Sequence, residues 1–352
     1  MKKIFLIGIA ATAILASCSN DETVEMSSAK TKAISFTNAF VNNGTRSIAD
    51  PSLTKETLGS FAVYGFTQKG QIFDGVTVTS ADKGETWTYK PEQYWVQGNQ
   101  YAFGAIAPAN ITVSGEELLG QSVADYKVGM TVSFTNDGKT DLLHAAPQKG
   151  YDATEEFMTD PETVDMTFDH QLSKVKFSFE NNVGEPYNIE VSEVKIGNAM
   201  KQGTLTVNAE KDNAWSNVSD PTLSLEFGAA GTTDETTAEA IEYTAEGETY
   251  NEMLMIPTKA TQSYDVTFKV KLFNGTVLMG EYEHEATISN VELKLGYCYD
   301  FKATLTPENI VVDPENPDAQ LKPIKFTVVN VNDWNDANES QELPIPDSQS
   351  GN

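Results

Sequence analysis

Apolar residues recur at every second position in many short stretches of this chain. In "AISFTNAF", Ile34, Phe36 and, after Asn38, Phe40 stand at successive even positions, with Ser35, Thr37 and Ala39 between them. "KVKFSFE" sets Val175, Phe177 and Phe179 against Lys174, Lys176 and Ser178. "YDVTFKVKLF" sets Val266, Phe268, Val270 and Leu272 against Thr267, Lys269 and Lys271. A period of two puts one face of a strand in a core and the other in water. "FAVYGF" is instead a mostly apolar run. Turn signals such as "QKGQ", "NDGK" and "FNGT" separate these segments. Only "GEELLGQSVADY" (115–126) offers a helical pattern of a few turns. Short strands joined by polar turns predict an all-β chain of packed antiparallel sheets.

The pattern breaks twice. "DATEEFMTDPET" is acidic and poorly patterned, which places a domain boundary near 155–168. From Pro307 to Pro323, four prolines and several carboxylates exclude a central strand and predict an extended linker. Fully extended, these 17 residues reach roughly 55 Å. A further strand pattern, "IKFTVVNV", follows, and a strand beyond a long arm must find a sheet to join. Its opening, "IKFT" (Ile324 to Thr327), repeats the spacing of "ISFT" (Ile34 to Thr37) near the front. One face pattern fits one groove, so a strand lost from the front can be replaced by one from the back.

The front of the chain adds a location. "MKK" is a positive start, "IFLIGIAATAILAS" is an apolar run short for a membrane span, and small residues precede Cys18. "LASC" (Leu15 to Cys18) resembles the lipobox of bacterial lipoproteins, where cleavage before the cysteine is followed by its acylation; several acyl chains hold a protein firmly on a membrane. With Cys18 acylated, Cys298 in "GYCYDF" has no disulfide partner and reads as a buried strand residue. Losing Lys2 and Lys3 with the leader takes the net charge from -27 to -29. Such a chain is repelled by nucleic acid and anionic lipid. Apolar residues at 39% still support a folded chain, and its mature length suggests two domains.

Candidate chemistry changes little. His144, His170 and His284 lack metal-ligand spacing and read as packing or strand-surface residues. No G-x-S-x-G, P-loop or G-x-G-x-x-G occurs. "NDWNDANE" and "TNDGKTD" are rich in oxygen ligands without EF-hand spacing. Trp87, Tyr89, Tyr94 and Trp95 read first as sandwich core and second as a sugar-stacking platform. No catalytic residue, metal ligand or cofactor is expected. Arg46, in "NNGTRSIAD", is the only arginine of the chain.

Several stretches, in their order and spacing, carry a resemblance: "ISFTNAF…TRS", "LGSFAVYGF", "YWVQGNQYAFGAIAP", "DLLHAAP", "FDHQLSKVKFSF", "MLMIPTKA", "YCYDFKATL" and "VNVNDW". Together they resemble the fimbrillin family (major and minor fimbrial subunits, Mfa-like), the type V pilins of Gram-negative bacteria. The resemblance implies two tandem transthyretin-like antiparallel β-sandwich domains with a C-terminal donor-strand arm. The implied divisions are a signal peptide (1–17), a propeptide with the lipid anchor and first strand (18–46), sandwiches at 47–160 and 161–306, and a linker with the last strand (307–352). It implies export as an outer-membrane lipoprotein acylated on Cys18, and cleavage by an arginine-specific protease between Arg46 and Ser47. The strand bearing Ile34, Phe36 and Phe40 is then displaced, and one bearing Ile324, Phe326 and Val328 is donated by the next subunit. The expected role is that of a pilus subunit supporting adhesion. Its expected partners are other pilin subunits, the protease, the outer membrane through its lipid, and a host or bacterial receptor. The alternative is an uncleaved monomeric surface lipoprotein, either a pilus anchor or a glycan-binding adhesin.

Overall fold

Burial follows the two kinds of apolar pattern. The computed structural model describes residues 32–41, 52–147, 149–207, 213–227, 241–243, 252–259, 262–310 and 321–333. The first half supplies β1 (Phe36–Val41), β2 (Ser60–Thr67), β3 (Gly70–Thr79), β4 (Gln100–Ala107), β5 (Val113–Leu119), β6 (Lys127–Thr135), β7 (Leu143–Ala145), β8 (Tyr151–Asp152), the short helix α1 (Glu155–Thr159) and β9 (Val164–His170). The second supplies β10 (Ser173–Asn181), β11 (Tyr187–Ala199), β12 (Gln202–Val207), β13 (Ala214–Ser219), β14 (Leu223–Phe227), β15 (Ile241–Tyr243), β16 (Met253–Met255), β17 (Ser263–Asn274), β18 (Val277–Ser289), β19 (Tyr297–Leu305), the helical turn α2 (Pro307–Ile310) and β20 (Phe326–Asp333).

These strands form four sheets. The first runs β1-β9-β7-β4-β2-β3, with β8 beside β4, and the second runs β13-β12-β6-β5. The third runs β16-β10-β19-β20, and the fourth runs β14-β11-β17-β18 with β15 beside β11. The apolar run of β2 is explained by its place between two cores. Phe61 and Val63 join Phe36, Trp87, Trp95, Phe103 and Phe168 on one face. Ala62, Tyr64 and Phe66 join Val128, Met130, Val132, Leu205 and Val207 on the other. The alternating β17 instead buries one face, and with the apolar face of β10 it places Val175, Phe177, Phe179, Val266, Phe268 and Val270 in the core between the third and fourth sheets. On the other face of β10, Lys174 and Ser178 are buried as well.

Two sequence expectations change. The boundary after residue 160 does not divide the sheets. β9 lies beyond it yet pairs with β1 and β7 in the first sheet. β12 pairs with β6 from Gln202↔Thr135 to Val207↔Met130, so a hairpin from the second half completes the second sheet. The segment 115–126 is not helical either. Its first part is β5, paired with β6, and Gly115 (φ +65°) and Gly120 (φ +99°) hold backbone conformations foreign to a right-handed helix. Leu119 lies over Gly129, where an added Cβ would stand 2.7 Å from Leu119 Cδ1. A helix does form at Glu155–Thr159, in the acidic stretch, where the Thr154 hydroxyl accepts from Phe157 N–H and caps it.

Only Gln171 and Leu172 separate β9 from β10, and this junction is closely tied. Gln171 N–H donates to Leu142 O, Gly296 N–H to Leu172 O, and the Trp215 indole to Gln171 O. Leu254 N–H donates to Gly138 O, and the Asn136 amide to Leu254 O. Gly138 sits at φ +78°, and a Cβ there would come within 2.4 Å of a Leu225 methyl, so any side chain there is strained and displaces Leu225. Lys174 and Glu252, both buried, form an ion pair at 2.9 Å beside Leu254.

Candidate strand-exchange interface

β1 stands at the end of the first sheet and runs parallel to β9, from Phe36↔Val164 to Val41↔Phe168, with a shift of register between Thr37 and Phe40. Val164 N–H donates to Ser35 O at 2.8 Å. A second backbone clasp holds the residues just before the strand. Ile34 N–H donates to Gln93 O, Trp95 N–H donates to Lys32 O, and the Tyr89 hydroxyl donates to Ile34 O at 2.7 Å. Lys32 Nζ donates to Thr159 O and lies 3.6 Å from Asp160. The clasp was not legible beforehand, because backbone hydrogen bonds impose no residue type on residues 93–95.

The side chains make this strand a plug. Ile34 and Phe36 are 1% and 2% exposed. The Phe36 ring meets Phe61, Phe73, Tyr89 and Phe103 edge to face at 5.5–6.4 Å. Each such ring pair adds about 0.5–1.5 kcal/mol beyond area burial. Removing the strand would leave an aromatic-walled trough beside an unpaired β9 edge. The Phe40 backbone pairs with Thr167, while its side chain lies outside the described residues. Cys18, Arg46 and Ser47 also lie outside them.

β20, the strand expected beyond the Pro-rich arm, stands at the end of the third sheet. It pairs antiparallel with β19 of its own chain, from Ala303↔Phe326 to Tyr297↔Asp333. Phe326 packs on Phe177, Phe179 and Phe268 at 5.3–6.1 Å. Ile324 is 7% exposed, and Phe326 and Val328 are half-buried against the same core. The apolar face of "IKFTV" thus extends the third sheet and packs on the core that this sheet shares with the fourth. It remains a terminal strand, paired on one side.

Asp300 lies in register with Val329 of β20 and accepts from the Ser178 hydroxyl at 2.8 Å. Burial pushes its carboxyl above the usual range, against the pull of that hydrogen bond, Lys176 and Lys302. A raised carboxylate favours the protonated folded state, so stability falls as pH rises from the ordinary value near 3.9. Asp300→Asn keeps the hydrogen bond without the charge. It is therefore expected to raise Tm at pH 7, with the gain vanishing below about pH 3.9; thermal melts across that range check it.

The other candidates fall inside the cores. His170 Nδ1 is 2.8 Å from Asp141, both fully buried, and Asp141 also accepts from Leu53 N–H. His144 meets the Asn213 amide at 3.2 Å. His284 packs against Phe268, and burial lowers its pKa. Trp87 and Trp95 are 9% and 1% exposed, so neither offers a face to a sugar. In "TNDGKTD", Asn136 donates to Leu254 O and Asp137 accepts from Lys139 and Thr140, committing those groups to a turn.

A fimbrial protein from Bacteroides vulgatus superposes with a TM-score of 0.54 at 16% identity, covering 86% of this chain and 99% of that one. A candidate cell adhesion protein from Bacteroides uniformis gives 0.48 at 15% identity, covering 87% and 99%. Another from Bacteroides ovatus gives 0.48 at 14%, covering 86% and 98%. No curated protein matches the chain. The fimbrillin-like family model matches residues 45–334, and the chain belongs to that family.

Proposed function

We propose that this chain is a fimbrial subunit of the cell surface, anchored through a lipid on Cys18 and joined to its neighbours by strand exchange. In this reading an arginine-specific protease cuts between Arg46 and Ser47. The cut severs β1 from β2, and a neighbour's Ile324 to Val331 fills the trough. The observation that carries the reading is β1 itself: a terminal strand whose Ile34 and Phe36 plug a core, followed by the single arginine of the chain. The family match begins at residue 45 and leaves β1 outside it.

The energetics favour exchange once the slot is open. A vacated edge exposes unpaired N–H and C=O groups, which an incoming strand satisfies. Ile-x-Phe in β20 lies half-covered at Phe326, whereas Ile34 and Phe36 are enclosed. Moving the same pattern into the deeper trough buries more apolar area, and each large side chain fully buried is worth roughly 1.5–3 kcal/mol. The sites are heterologous, so successive joints extend rather than close.

Treating the purified chain with an arginine-specific protease is expected to give one cut and then an SDS-resistant ladder. Arg46→Lys is expected to abolish both. A singly cut protein that stays monomeric at high concentration would overturn strand exchange. For the glycan-binding alternative, Trp87 and Trp95 lie in the core, which leaves Tyr94 as the exposed aromatic of the four.

A further inference from the structure

Five large apolar side chains stand exposed among the described residues: Tyr94, Val96, Val277, Leu278 and Met279, at 43–62%. They fall into two patches, and strand register places each at the pole of its own half that is remote from the β9–β10 junction. β9 reaches the junction at His170, so its Val164 end is remote from it. Residue 36 pairs with Val164, and residues 33 and 34 bond to 93–95, so Tyr94 and Val96 lie at that remote end. β10 leaves the junction at Ser173, so its Asn181 end is remote on the other side. The Asn181 amide donates to Tyr187 O, and Tyr187 pairs with Asn274, which pairs with Val277. The tip of the β17–β18 hairpin therefore marks the second pole.

Each pole also holds one partner of the proposed joint. The β1 slot opens beside Tyr94. Residues 321–325 enter β20 at the second pole, because Phe326 pairs with Ala303 near the Leu305 end of β19. We infer that the hairpin tip of one copy, through Val277, Leu278 and Met279, seats against Tyr94 and Val96 of the next. This rests on the strand-exchange reading and adds a second contact to the same joint. Five side chains fall well short of the roughly 1,000 Å² that a free-standing interface needs. Each chain also carries a net charge of -27, which opposes association of free copies. The contact thus forms only after the strand has tethered two copies and raised their effective concentration. Its effect is to fix the angle between successive subunits, which a single extended strand leaves loose.

The test uses the full chain with Cys18→Ser and Cys298→Ser, bearing Val96→Cys and Leu278→Cys. It is cut with the arginine-specific protease and treated with a short bis-maleimide. Cross-links between copies are expected in the assembled material, enriched about tenfold or more over uncut chain because the joint raises local concentration. Tryptic peptides joining residues 96 and 278 identify the link. An SDS-resistant ladder without that link, or with links equally frequent in uncut chain, overturns the inference and leaves strand exchange standing. Absence of any ladder overturns both. As a second measurement, Leu278→Glu with Met279→Glu is expected to leave the ladder intact while making filaments more flexible in electron micrographs. Unchanged flexibility counts against the contact.

Discussion

Phe36→Ala is expected to lower the unfolding free energy of the uncut chain by about 3–5 kcal/mol, the usual loss for a large aromatic removed from a packed core. The ring is 2% exposed and meets four other rings, so truncation leaves a cavity that its neighbours cannot refill without abandoning their own contacts. Ser35→Ala, one residue away and only half-buried, is expected to stay within about 0.5 kcal/mol. Urea denaturation of both variants measures the difference. The informative comparison is with protein cut after Arg46 and stripped of its leader. There the two variants are identical molecules and must unfold alike. A neutral Phe36→Ala in the uncut chain would mean that β1 is not a plug, and the trough would lose its energetic basis.

Breaking the junction's buried ion pair is expected to cost about as much. Lys174→Met leaves the Glu252 carboxylate buried at 5% exposure without its cation at 2.9 Å. Removal of one member of such a pair typically destabilises by about 3–5 kcal/mol, because the remaining charge stays desolvated. Replacing both with apolar residues of similar volume removes that penalty, so Lys174→Met with Glu252→Leu is expected to recover most of the loss. The double-mutant cycle checks it by urea denaturation. A double variant no more stable than the worse single one would show that the two residues do not act as a pair.

What the sequence made legible is what local pattern encodes. The alternation in β17 marks the buried residues, because a strand with one wet face leaves a period of two. In β10 it marks Val175, Phe177 and Phe179 but not the burial of Lys174 and Ser178 on the opposite face. Of the aromatic cluster at 87–95, Trp87 and Trp95 lie in the core as the pattern predicts, whereas Tyr94 stands exposed. Pairing across long separations left no such mark. The acidic stretch at 152–163 suggested a boundary, yet β9 lies beyond it in the first sheet, and β12 reaches back to β6. Their apolar positions specify burial but not the partner. The 115–126 segment combined Glu and Leu in helical fashion, and register with β6 overrode that propensity. The kinship of Ile34-x-Phe36 and Ile324-x-Phe326 was visible. The present seat of the second pair was not, since a Pro-rich arm has the reach for its own sheet as well as for another chain's.

The hairpin that completes the second sheet bears on biosynthesis. A nascent chain that has released β2, β4 and β6 still lacks β12 and β13, so Ala62, Tyr64 and Ile106 wait uncovered until the chain through Ser219 has followed. The two halves cannot mature in succession like beads. The core between the first and second sheets closes only once the β12–β13 hairpin has left the ribosome.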